Sequence, residues 1–261
     1  MGDSDVPTWG DGDRAVLVHG AVSAGEETWQ AQQPLADTFQ LVVPDRQGYG
    51  PGPEMPDDPH ADAPNVAALL GDGAHLVGYS MGGVVAMLAA AQRPEAVRSL
   101  VLVEPVAFDL VRGRSDAERF IAEYDGIRGG TQDPEAFLRE FLVFFGAAAA
   151  EVEQIPTPMP PALHRAAVAQ FSGAAPWDVA TPLEALAGAT FPIVIVSGGH
   201  SDLFDAICDV LQLAVGATRS VIPGAGHAAQ FTGEPFNALL RQTWLATTPL
   251  AAEQTRVDGA R

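Results

Sequence analysis

The clearest chemical signal in this chain is the run Gly78-Tyr79-Ser80-Met81-Gly82. A serine hydroxyl is a weak nucleophile at neutral pH, so it needs a base for its proton and donors for an oxyanion. A serine set between a strand and a helix, with glycine two residues away on each side, can supply part of that. The tight turn exposes the hydroxyl beyond the strand, and the first amides of the helix face the same space. The turn predicts a strained backbone at Ser80. It also predicts that side chains at 78 and 82 would collide with neighbouring backbone. A chance match is the bland alternative in a glycine-rich chain. The flanks oppose it: His75-Leu76-Val77 is a short apolar strand, and the run from Gly82 to Ala91 reads as a buried helix.

A base must come from six histidines. His60 falls in an irregular loop and His164 in a helical segment, where solvated or structural roles are usual. His75 enters the strand from the end far from Ser80. His19 follows a strand and suits a structural role, its ring pinning the loop. His200 lies near a strand end and is a possible base. His227 closes a Gly224-Ala225-Gly226-His227 loop after the final strand, which carries its ring over the sheet; it is the expected base.

The elements that must position these residues alternate. Ala15–Val18, Phe39–Val43, the strand before Ser80, Ser99–Val103, Ile193–Val196 and Thr218–Ile222 read as strands, several of them apolar at every position and so buried on both faces. Helices are expected over 26–36, 65–70, 204–214 and 235–246. Strand–helix alternation gives a mostly parallel sheet covered on both faces, with its site at the carboxyl ends of the strands. His19, Asp45, Ser80, Glu104, Asp202 and His227 each follow a strand. The alternation stops between 106 and 182, where Ala117–Tyr124, Phe137–Phe145 and Leu163–Phe171 have helical spacing. This predicts a helical cap on one α/β domain, with a core of about 1–105 and 183–248 and a flexible tail over 249–261.

The formal charge of −19, with no lysine, argues against nucleic acid or an anionic membrane as partner. Cys208, the single cysteine, has no disulfide partner within the chain and reads as a small buried hydrophobe. Residues Met1–Asp5 are followed by no apolar run of the kind a secretory leader or bilayer span needs, so a cytoplasmic enzyme is expected. There is no His/Cys cluster to hold a metal, and no cofactor is called for.

Four segments together resemble the α/β-hydrolase fold, in its small esterase, peroxidase and C–C hydrolase group. They are His19-Gly20, Asp45-Arg46-Gln47-Gly48-Tyr49-Gly50, the Gly78–Gly82 turn and Gly226-His227. The likeness runs from Ala15 to about Ala246, and in the cap it extends only to position and helical character. It implies the order nucleophile, acid, histidine, met by Ser80, Asp202 and His227. Asp202 is the expected acid, from the Gly199-His200-Ser201-Asp202 spacing; Glu104 is the rival, because some members take the acid from the strand after the serine turn. Asp45 matches a structural turn residue. The resemblance also implies an oxyanion hole from the amides of Met81 and Ala21, with Val22 the alternative to Ala21.

The expected function is therefore hydrolysis of an ester or lactone of an uncharged, fairly apolar small molecule. C–C bond hydrolysis and perhydrolysis are alternatives on the same residues, and a ligand-binding receptor is the non-enzymatic one. Phe137, Phe141, Phe144 and Phe145 are candidates to line the acyl pocket.

Overall fold

A computed structural model describes residues 6–247; the expected flexible tail and Met1–Asp5 lie outside the described residues. Seven strands form one sheet: β1 (Thr8–Trp9), β2 (Asp13–Val18), β3 (Phe39–Val42), β4 (Ala74–Tyr79), β5 (Val97–Val103), β6 (Ile193–Ser197) and β7 (Thr218–Val221). Their order is β1-β3-β2-β4-β5-β6-β7, parallel except for the two-residue β1, which runs antiparallel to β3. β4, which leads into Ser80, is thus at the centre. It pairs with β5 so that Tyr79 lies opposite Val103. The Ser80 amide extends that ladder by donating to the Val103 carbonyl at 2.9 Å.

Side chains of a strand alternate between faces, and the two apolar layers show it. Val16, Leu76, Leu100, Leu102 and Ile195 pack on one face, with Met87 and Phe204. Leu17, Val77, Val101, Val103 and Val196 pack on the other, with Trp29, Phe236 and Trp244.

The longer helices are α1 (Pro59–Leu69), α2 (Met81–Gln92), α3 (Ser115–Gly129), α4 (Pro134–Phe144), α5 (Pro161–Ser172), α6 (Asp202–Val215) and α7 (Glu234–Thr247). α1 starts six residues earlier than the apolar pattern predicts. Asp58 caps it by accepting from the His60 amide, and Pro59 occupies the first turn, where no donor is needed. His60 therefore sits in a helical turn, not a loop. The helix expected over 26–36 divides into one turn, Gly25–Thr28, and a 3₁₀ stretch, Gln30–Asp37. Pro34 within it has no N–H to continue an α-helix.

α3, α4 and α5 form a helical cap between β5 and β6, built on Tyr124, Phe137, Leu138, Phe141 and Met159. Phe137 faces this interior against Tyr124 and Phe171, and Phe144 packs on Phe120. Of the four candidates, these two do not line the space over Ser80, as helix–core packing would have it, whereas Phe141 and Phe145 do. No helix among the described residues is long and apolar enough to cross a membrane.

Candidate active site

Ser80 occupies the N-cap of α2 with φ 55° and ψ −121°. Serine is among the best N-cap residues because its hydroxyl usually accepts from the first helical amides. Here it makes no such bond. The hydroxyl is left for chemistry, and the amides at the start of α2 are left for a ligand. The predicted collisions are present: a Cβ on Gly78 would overlap the Gly82 carbonyl, and one on Gly82 would overlap the carbonyls of Val18 and His19. Gly20 is less tightly confined, since its Cβ would stand 3.0 Å from that of Ser80.

The hydroxyl of Ser80 lies 3.1 Å from Nε2 of His227. On the far side of that ring, Nδ1 lies 2.8 Å from Oε2 of Glu104. A carboxylate can only accept from the ring, so Nδ1 carries the proton and Nε2 is open to the serine O–H. Glu104 is 1% exposed, and its other oxygen, Oε1, accepts from the Gly198 amide at 2.8 Å. His200 Nδ1 stands 3.2 Å from the same oxygen, so this histidine attends the acid and does not reach the serine.

This corrects the expectation for the acid: it is Glu104, not Asp202, that holds His227. Asp202 is exposed and opens α6, where a negative side chain favours the helix dipole. The reason lies in the turn after β6. Gly199 takes φ 62°, and the chain enters α6 before a carboxylate from 202 can return to the sheet. Asp205, one turn on, is taken up by Ser197 and Arg219 at 2.7 and 2.6 Å. Glu104 directly follows β5 with φ 38°.

Among the described residues three non-glycines have positive φ: Val22, Ser80 and Glu104. Such conformations cost free energy and persist where surrounding structure imposes them. All three are in this site or beside it. Ala21, next to Val22, lines the same cavity as Ser80 and Met81, so both expected oxyanion donors border it. The cavity holds only about 20 Å³, room for one water-sized group. Rings close around the His227 imidazole: Phe204 with its centroid at 4.7 Å, Tyr79 at 5.2 Å and Phe145 of the cap at 5.7 Å.

His19 takes the structural part expected of it. Its Nδ1 donates to the Gly20 carbonyl and its Nε2 accepts from the Arg46 amide, both at 2.8 Å. Burial, with the nearby Arg46 charge, lowers its pKa to about 3, so it stays neutral. Asp45 likewise anchors a turn, accepting from the Gly25 amide. In the cap, His164 pairs with Glu135 at 2.8 Å. A polar core that the sequence did not announce lies beneath the cap. The buried Arg46 guanidinium bridges Asp57 and Asp62, and Tyr49 donates to Asp57 at 2.7 Å.

Residues 15–239 match the model of the alpha/beta hydrolase family. Among curated proteins, lipase LipV of Mycobacterium tuberculosis is 36% identical over 118 residues, which is 43% of this chain and 45% of LipV. The match thus spans less than half the length of that relative. RutD of Klebsiella pneumoniae, named as a candidate carbamate hydrolase, is 29% identical over 91% of this chain and 94% of its own. The structure of the esterase EaEST from Exiguobacterium antarcticum superposes with a TM-score of 0.70 at 19% identity, covering 91% of this chain and 93% of that one.

Proposed function

Because the chain belongs to the alpha/beta hydrolase family, we propose that it is a serine hydrolase cleaving an ester or lactone of an uncharged, fairly apolar acyl group. The observation that carries this reading is the unbroken line from Ser80 through His227 to the buried Glu104, at 3.1 and 2.8 Å.

In this mechanism His227 Nε2 takes the Ser80 proton as the oxygen attacks the acyl carbon. The oxyanion that forms is held by the amides of Met81 and Ala21, aimed at charge that develops only in the transition state. Glu104 keeps the imidazole in the Nδ1–H tautomer and stabilises the imidazolium. His227 then passes the proton to the leaving alkoxide, and the acyl group remains on Ser80. Water enters, gives a proton to His227 and attacks the acyl carbon. As the tetrahedral species collapses, that proton returns to Ser80 and the acid departs. The net reaction consumes one water per ester.

The test is covalent. A fluorophosphonate probe should label the protein, and peptide mass spectrometry should find the adduct on Ser80. Labelling that persists undiminished in Ser80→Ala would overturn the reading.

A further inference from the structure

We propose that Arg46 is a positioning residue of the oxyanion hole. With the His19 ring, its guanidinium holds the Gly20 carbonyl, and so aims and strengthens the Ala21 N–H at the other end of the same peptide. This rests on the hydrolase reading of the site and adds a residue to its machinery.

A peptide unit is planar and trans, so its N–H points opposite to its carbonyl. The Gly20 carbonyl and the Ala21 N–H are the two ends of one such unit. The carbonyl end accepts from His19 Nδ1 at 2.8 Å and from Arg46 Nη1 at 3.2 Å, which occupies both lone pairs. The N–H end donates to no other described residue. The unit runs beside the nucleophile: a Cβ on Gly20 would stand 3.0 Å from that of Ser80, and Ala21 lines the cavity over it. The second donor is built alike. The Met81 N–H shares its peptide with the Ser80 carbonyl, which accepts from the Gly83 and Val106 amides at 2.9 and 3.4 Å. Neutral amides do the holding there; at Gly20 a neutral ring and a cation do it.

The cation contributes direction and polarisation. The guanidinium is a rigid fork. Asp62 holds its Nε at 2.9 Å and Asp57 holds Nη2, which leaves Nη1 facing Gly20. A carbonyl that accepts from a charged donor makes the N–H of its own peptide a stronger donor, as in any chain of polarised hydrogen bonds. Burial alone would favour a neutral guanidine, but Asp57 and Asp62 outweigh it and keep Arg46 charged.

A pair of variants separates this from a merely structural ion pair. Arg46→Lys keeps a charge for the two carboxylates but loses the fork. Asp62→Asn loosens the same cluster without removing a donor from Gly20. Because an oxyanion exists only in the transition state, Arg46→Lys should lower kcat on one ester by about tenfold with KM changed by no more than about twofold. Affinity for a trifluoromethyl ketone, which forms an oxyanion on Ser80, should fall by the same factor. Asp62→Asn should lower the melting temperature and leave kcat within about twofold. NMR gives a readout independent of turnover. Arg46→Lys should move the Gly20 carbonyl carbon upfield, with the Ser80 carbonyl as the unmoved reference, and Asp62→Asn should move neither. If Arg46→Lys does not fold, Arg46→Met combined with Asp57→Asn and Asp62→Asn strands no charge and takes its place, with the same losses expected. An unmoved Gly20 resonance, a loss confined to KM, or an equal loss of kcat in Asp62→Asn overturns the proposal. If the unaltered protein turns over no ester yet the Gly20 resonance moves, the hydrolase reading fails and the pinned peptide stands.

Discussion

Two serine–histidine pairs sit at opposite ends of the same two strands. At the carboxyl end, Ser80 and Glu104 follow β4 and β5 and meet His227. At the amino end, His75 of β4 and Ser99 of β5 are joined by a 2.8 Å contact between Nδ1 and Oγ. The second pair has the shorter distance and complete burial. Yet its Nε2 has no hydrogen-bond partner, and its ring stacks on Trp244. Burial, aided by Arg98, lowers the His75 pKa to about 4. The difference lies in what surrounds the contact. At the carboxyl end the ring has a carboxylate behind it, a cavity before it and a helix N-terminus beside it. A serine touching a histidine is chemically idle without those three.

The largest test of the contrast exchanges the serines. Ser80→Ala should lower ester turnover by about 10⁴-fold or more, the scale of losing a member of such a triad. Ser99→Ala should leave turnover within roughly twofold and lower stability by about 1–3 kcal/mol, the cost of stranding a buried ring nitrogen. Comparable losses of turnover from both would show that the ends are not distinct.

The next test concerns the carboxylates. Glu104→Gln should cost about 10⁴-fold in turnover, because the amide no longer favours the tautomer that accepts the serine proton. Asp202→Asn, exposed at the start of α6, should change turnover by no more than about twofold. The reverse order, read from kcat on one ester, would return Asp202 to the role the sequence spacing suggested.

The smallest effect is on stability and shows in its pH dependence. In the unfolded chain histidine holds a proton below about pH 6.5, while native His75 does so only below about 4. Between those values the unfolded state binds more protons, so stability is present above pH 6.5 and drains as pH falls toward 4. The full contribution is ~3 kcal/mol on the usual conversion. Thermal melts from pH 7 to 4.5 should fall less steeply for His75→Met than for the parent. His19 leaves a residual slope in both, since its native pKa is about 3. Identical slopes would mean that His75 is not held neutral.

The sheet was legible because strands buried on both faces are written as apolar runs. Ser80 was legible because the turn leaves only glycine at 78 and 82. His227 was legible because its Gly-Ala-Gly-His loop after the final strand carries a ring over the sheet, although His200, also near a strand end, stayed a possible base. Asp202 and Glu104 were not separable by sequence. Each comes soon after a strand, and the deciding quantity is the direction of the backbone, φ 38° at Glu104 and the left-handed turn at Gly199. The early start of α1 had a visible signal in Asp58-Pro59, a capping residue followed by proline. The Arg46 cluster had none, since Asp57 and Asp62 lie in a stretch whose acidic residues look alike until the loop folds over them.

Glu104 and Ser80 extend adjacent strands at matching register, so sheet hydrogen bonds help fix the spacing between the proposed acid and nucleophile. An acid placed after β6 would instead bind the next turn to one length and one side chain. Here that turn gives the site only the Gly198 amide and the flank of His200. If the proposed proton path holds, residues inserted between Ser201 and Asp202 should leave ester turnover intact, because neither side chain touches Ser80, His227 or Glu104.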